Sequence, residues 1–458
     1  MLAWSLRLIG MEARLPTGGE PVNAYKRRFV NLDMLEMKEK FKTATWSLAE
    51  QGIVSLGSFL LNIQLARSLP ASEYGTFALV FSCVFLVQQC AISLLFYPMC
   101  QRIAASPREP EAPLVSITMT LLAGGSLVAS LLLGGITVLA GRGDIAALAA
   151  AFCAFWQIQD ALRRYLVSAG QYSAAMRANI VSYGGQAVAA FVVAHRDTAL
   201  LADALFWMTA ACGAGVLVQL RELRLPAPSF AGMPDLVRDY WRVGLWGMSG
   251  GLLMLLRVQI FPWLLGLLHG TAATASLQAI LNIGNLTNPL LFALCNTISL
   301  SSIKTKAHGN LTAWRASRFY MLIGAPFIIV YCAAVFAAPA AVLGLFYGPH
   351  SVYLADTLAV RIIMFSIVLN FMADTTSAFL YGIDGGRLST VIALIGLAAA
   401  VLASVMVWPW GVYGAAVGML AANLVRLVAS YHYVGSMLNA AIPVDPPNSD
   451  VREARSDA

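Results

Sequence analysis

The chain has 458 residues, of which 59% are hydrophobic and only 12% charged, and it carries a formal net charge of +7. No soluble fold of this length has such a composition, which excludes a water-soluble enzyme and points to a membrane protein. The basic excess belongs to loops beside anionic lipid, because no soluble domain is left to present it to nucleic acid.

Residues 1–44 read as a polar, basic cytoplasmic tail, with Lys26, Arg27, Arg28, Lys38, Lys40 and Lys42 ahead of the first apolar run. Its opening apolar stretch is too short to cross a bilayer, and no small-residue cleavage site follows it. Met11 and Met34 are alternative starts. About twelve apolar runs then follow, at 45–66, 74–97, 114–139, 144–166, 174–194, 199–220, 243–267, 274–301, 319–340, 354–380, 388–408 and 411–434. Each reaches the roughly 20 residues that cross a bilayer core as helix. Residues 221–242, with Pro226, Pro228 and Pro234, form the longest internal connection. Proline interrupts helix there, so six spans in 45–220 precede six in 243–434, and residues 435–458 form a second tail.

The basic residues are sorted by side. Arg67, Arg142 and Arg196 are external, Arg257, Arg361 and Arg426 lie inside spans, and every other member of the thirty Lys and Arg falls on the opposite side. Cytoplasmic loops hold positive charge during insertion. The pattern therefore predicts an all-α polytopic protein of the bacterial inner membrane with both termini cytoplasmic. The seven cysteines lie in or at the ends of spans, odd in number and without a CxxC pair, and read as small packing residues. His195, His269 and His350 are isolated and lack the spacing of a metal site.

Polar residues inside spans face water or protein. In span 1, Ser47, Gln51, Ser55, Ser58 and Asn62 fall within about 80° of one another on a helix, bordered by Glu50. In span 8, Gln278, Asn282, Asn285 and Asn296 share one face, and Asn288-Pro289 predicts a bend. Span 5 carries Asn179, Ser182 and Gln186 on one side. Span 11 is nearly featureless and is expected to face lipid. A single Asn more often bonds helix to helix, whereas two long aligned stripes predict a hydrated cavity.

Asp160 is followed by Arg163 and Arg164 at i+3 and i+4, the spacing of a local ion pair. Arg257, Arg361 and Arg426 have no acidic residue within one turn, so each needs a partner on another helix or an anionic ligand. A guanidinium donates two parallel bonds to phosphate and stays charged, which makes these three candidate contacts for a phosphate-bearing substrate. Glu50 and Asp374 are coupling or pairing candidates. In span 10, Asn370, Asp374 and Ser377 share a face from which Arg361 points away if the helix is straight.

Span 1 ends in Asn62-Ile-Gln-Leu-Ala-Arg67-Ser-Leu69-Pro-Ala-Ser-Glu73-Tyr74-Gly75-Thr-Phe77. This resembles the Ala-Arg-x-Leu-x-x-x-Glu-Tyr-Gly-x-Phe pattern of polysaccharide transporters in the MOP flippase superfamily, the Wzx-type O-antigen and exopolysaccharide flippases. Arg67 would end one helix and Gly75 would allow close approach at the start of the next. The acidic–Arg pair that many members carry near Gln259 is missing. The resemblance implies a MATE-like bundle of two six-helix lobes around a central cavity that opens alternately to each side. It also implies an undecaprenyl-diphosphate-linked oligosaccharide as substrate, with polysaccharide polymerase and export machinery as partners besides membrane lipids. No cofactor is implied. The chain lacks a GxxxxGK[ST] phosphate loop, which argues against ATP hydrolysis, and a proton or sodium gradient could supply the coupling. A multidrug exporter of the same superfamily is the competing reading. A membrane glycan polymerase or ligase fits less well, because the external loops are too short to hold a catalytic domain.

Overall fold

The computed structural model describes residues 45–46, 49–99, 102, 111–195, 200–223, 230, 232–384 and 386–439. The basic tail, Ser47, part of the central linker and residues 440–458 lie outside them. From Glu50 onward the chain forms one compact unit. Its helices are α1 (50–68), α2 (Ala71–Ala91, continuing to 99), α3 (Glu111–Leu139), α4 (Gly143–Ser168), α5 (172–194) and α6 (Leu201–Glu222). The second half comprises α7 (Met233–His269), α8 (271–305), α9 (Asn310–Ala337), α10 (352–384), α11 (387–410) and α12 (412–439).

Among the described residues, nine segments are long and apolar enough to cross a membrane. The 52-residue segment Arg387–Leu438 is two passes rather than one. It folds back at Gly411, whose φ of 52° and ψ of −124° lie where a side chain is not tolerated. Six of these helices precede the central linker and six follow it. In the second lobe a short helix, Pro339–Tyr347, follows the third span.

In α8 the helix is irregular where the sequence breaks the apolar run. The 3-10 turn Asn285–Thr287 interrupts α8 immediately before Asn288-Pro289, because proline cannot donate its backbone bond. Wider π turns occur in α2 at Ile92–Phe96 and in α5 at Ile180–Gly184. Lipid is the solvent for the exterior, where Leu131, Leu132, Phe327, Val330 and Leu402 are exposed. Helix α11 is only half lipid-facing, contrary to expectation. Leu394 and Leu402 point outward, while Ile392, Ala393, Gly396, Ala400 and Ala403 form a buried face of small residues against α7 and α12.

Helix α2 carries the contact between lobes, packing on α7 and α8. A Cβ added to Gly75 would lie 1.7 Å from the Thr271 carbonyl oxygen, so the starts of α2 and α8 touch backbone to backbone. Asn282 donates to the Tyr74 hydroxyl at 2.6 Å, and Trp263 donates to Ser82 Oγ at 2.6 Å. These contacts close the end of the bundle that holds the α1–α2 and α7–α8 turns. Farther along α1 and α8, Gln51, Asn285 and Asn296 are exposed.

Candidate functional site

Each lobe buries one charged cluster. In the second lobe, α7 supplies Arg257, α10 supplies Ser366, Asn370 and Asp374, and α12 supplies Asn423 and Arg426. Arg426 is only 2% exposed. It donates to Asp374 Oδ1 and, at 3.1 Å, to Asn370 Oδ1. Asn370 Nδ2 donates to the other Asp374 oxygen at 2.7 Å. Arg257 is 6% exposed and has no carboxylate partner among the described residues. It donates to Asn423 Oδ1 and to Asn370 Oδ1, the latter at 3.2 Å, while its Nε has no acceptor. Asn423 is held in turn by donating to Ser366 Oγ at 2.9 Å.

Gly396 of α11 makes room for this packing. A Cβ there would lie 3.2 Å from Cδ of both Arg257 and Arg426. A buried ion costs several kcal/mol unless it is paired and fully hydrogen-bonded. Arg426 meets that condition through Asp374. Among the described residues Arg257 has amide oxygens alone, so the cluster there holds one positive charge more than Asp374 neutralises. The Asp374 side chain is 13% exposed, more than either arginine of the cluster.

The first lobe buries a balanced cluster instead. Here α1 contributes the acid, Glu50, which accepts from Arg163 Nη1 of α4 at 2.6 Å and from Asn179 Nδ2 of α5 at 2.8 Å. Asp160 accepts from Arg163 at 3.1 Å and from Arg164 at 2.6 Å. Two carboxylates therefore meet two guanidinium groups, and the cluster is neutral. Gln219 donates to the Gln159 backbone oxygen at 3.0 Å and ties α6 to α4.

The structure brings together Arg257, Arg426 and Asp374 but not Arg361. Arg361 is exposed on the other side of α10 and donates to the Phe336 carbonyl at 3.2 Å, capping the end of α9. Its guanidinium lies 5.9 Å from the Phe336 ring centroid. The helix is straight enough that positions 361 and 374 face opposite ways. Asn282 is buried at the lobe contact, and Gln278 donates to it at 3.0 Å. Asn62 is also buried and donates to the Ser58 carbonyl of its own helix at 2.8 Å, whereas Gln51 and Asn285 are exposed and Ser55 is half-buried. Within the motif, Glu73 pairs with Arg142 at 3.0 Å, and exposed Arg67 has no ion pair among the described residues. Residues that sequence reasoning passed over are Asn423, Ser366 and Gly396. Asn423 lies one turn before Arg426, and that spacing was the available signal.

No family model matches the chain, and no curated protein sequence does. Solved structures do match in fold. An inward-facing multidrug resistance MATE family transporter of the MOP superfamily superposes with a TM-score of 0.68 at 17% identity, over 85% of this chain and 96% of that one. An outward-facing transporter of the same description gives 0.62 at 16% identity, over 87% and 95%. A MOP superfamily transporter from Pyrococcus furiosus, described as having a binding pocket of reverse polarity that suggests a different function, gives 0.57 at 16% identity, over 87% and 95%. The chain has the fold of MOP superfamily transporters and is a multi-pass membrane protein.

Proposed function

We propose that the protein is an alternating-access flippase for an undecaprenyl-diphosphate-linked oligosaccharide. The observation that carries this reading is the surplus guanidinium in the second lobe: Arg257 faces only amide oxygens and Arg426 shares one carboxylate. A diphosphate would supply the missing negative charge, and arginine binds it through paired donors. The sugar headgroup cannot cross hydrocarbon unaided, while the polyprenyl tail stays in lipid. A cleft between two lobes, with exposed polar positions on α1 and α8, lowers the barrier for the headgroup, and rocking of the lobes changes its access. Glu50 and Asp374 are both committed to arginine, so either can serve ion coupling only after its pair opens.

The fold favours a second reading equally, since its multidrug resistance neighbours share it. The two readings separate in cells deleted for this gene. Lipid-linked repeat units trapped at the cytoplasmic leaflet, released by wild type but not by Arg257→Ala or Arg426→Ala at matched expression, support the flippase. Normal outward delivery together with new drug sensitivity would favour the exporter and overturn the flippase.

A further inference from the structure

The outer face of the second lobe carries a groove of about 490 Å³ between α9, α10 and α12 that the transport reading does not use. Arg318 stands at one end of it, and Met321, Ala325 and Ile329 of α9 line it along with Phe371 and Met372 of α10. From Arg318 to Ile329 is eleven helical steps, about 16 Å at 1.5 Å per residue, close to half the roughly 30 Å hydrocarbon core. The groove thus runs from one bilayer interface to its middle, the depth of a single acyl chain.

Its polar end is basic and aromatic. Lys304, Lys306, Arg315 and Arg318 crowd the α8–α9 connection, and no acidic residue occurs between 300 and 318. Arg315 and Arg318 are exposed and have no ion pair among the described residues, while the acid at this end, Asp384, accepts from the Leu388 N–H. Trp314 and Tyr431 meet edge to face at 6.3 Å and frame the same end. Aromatic residues settle at the level of lipid headgroups, and basic pockets between membrane helices bind anionic ones.

We infer that this groove is a binding site for one anionic phospholipid of the leaflet beside the basic loops, with its phosphate on Arg318 and one acyl chain along Met321 to Ile329. The site lies on the outside of the lobe and does not depend on which solute the protein carries. Native mass spectrometry of the purified full chain, titrated with phosphatidylglycerol or with phosphatidylcholine of the same chains, tests it. Wild type is expected to retain phosphatidylglycerol in preference, and Arg318→Gln to weaken that retention about fivefold, the worth of one basic residue near a charged headgroup. Ala325→Trp, which fills the groove and keeps the charge, is expected to weaken it as well, while Arg361→Gln leaves it unchanged. Equal retention of the two lipids by wild type, or wild-type retention by both groove variants, would overturn the proposal.

Discussion

Gly75 and Thr271 meet at the point where the two lobes close, with no room between them for a single methyl group. The contact is backbone against backbone, so no rotamer change relieves it. Gly75→Val is therefore expected to disfavour the closed arrangement by about 1–3 kcal/mol, the usual cost of overpacking. The nearby half-buried Gln278, changed to Cys, reports the effect through labelling by a membrane-impermeant maleimide. Labelling should rise about tenfold when Gly75→Val is added, since about 1.4 kcal/mol is a factor of ten. Unchanged labelling would mean that this end closes without the contact.

Asp374 and Arg426 should behave as one unit. Asp374→Asn alone leaves the buried guanidinium without a counter-charge and should cost about 3–5 kcal/mol. Adding Arg426→Gln removes the stranded charge and should restore much of the loss. Unfolding in detergent of the wild type, both single variants and the double variant gives the coupling directly. Strict additivity would show that the pair contributes nothing.

Glu50→Gln is expected to be the milder change. Arg163 keeps a second carboxylate, Asp160 at 3.1 Å, and Asn179 can still bond to the new amide. The same unfolding assay ranks the two lobes. A larger loss for Glu50→Gln than for Asp374→Asn would contradict the charge balance described for the clusters.

Arg361→Gln removes a charge that points away from the cluster and touches only the end of α9. Stability should stay within about 0.5 kcal/mol of wild type, as for most surface changes. Rescue of the deletion strain should match wild type. Failure of rescue at normal expression would place Arg361 on the transport path after all.

The architecture was largely legible because apolar run length and loop charge act along the chain. The break in α8 was announced by Asn288-Pro289, and the close approach at Gly75 by its place in the turn motif. Two passes hidden in one helical stretch were legible as well, since 388–408 and 411–434 read as separate apolar runs. The site was legible only in part. Arg257 and Arg426 announce themselves as charges in lipid, but their partners do not. Glu50 reaches Arg163 across 113 positions of sequence, and no local pattern encodes that meeting. Arg361 shared the type of the other two arginines and not their direction. Gly396 passed as one more small residue in a bland helix, although its missing side chain is what admits two guanidinium stems.

The two buried clusters differ in net charge. The first lobe's cluster is balanced and adds no charge to a tilt in the membrane, whereas the second lobe's cluster carries one uncompensated positive charge wherever it moves. A full crossing of that charge is worth about 2.3 kcal/mol per 100 mV, and a tilt through a tenth of the field is worth about a tenth of that. In the alternating-access cycle proposed above, the membrane potential would then bias which way the cleft faces even with no substrate bound. A transient charge displacement on a voltage step, lost in Arg257→Gln, would register that motion, and its presence at full size in the variant would assign the charge elsewhere.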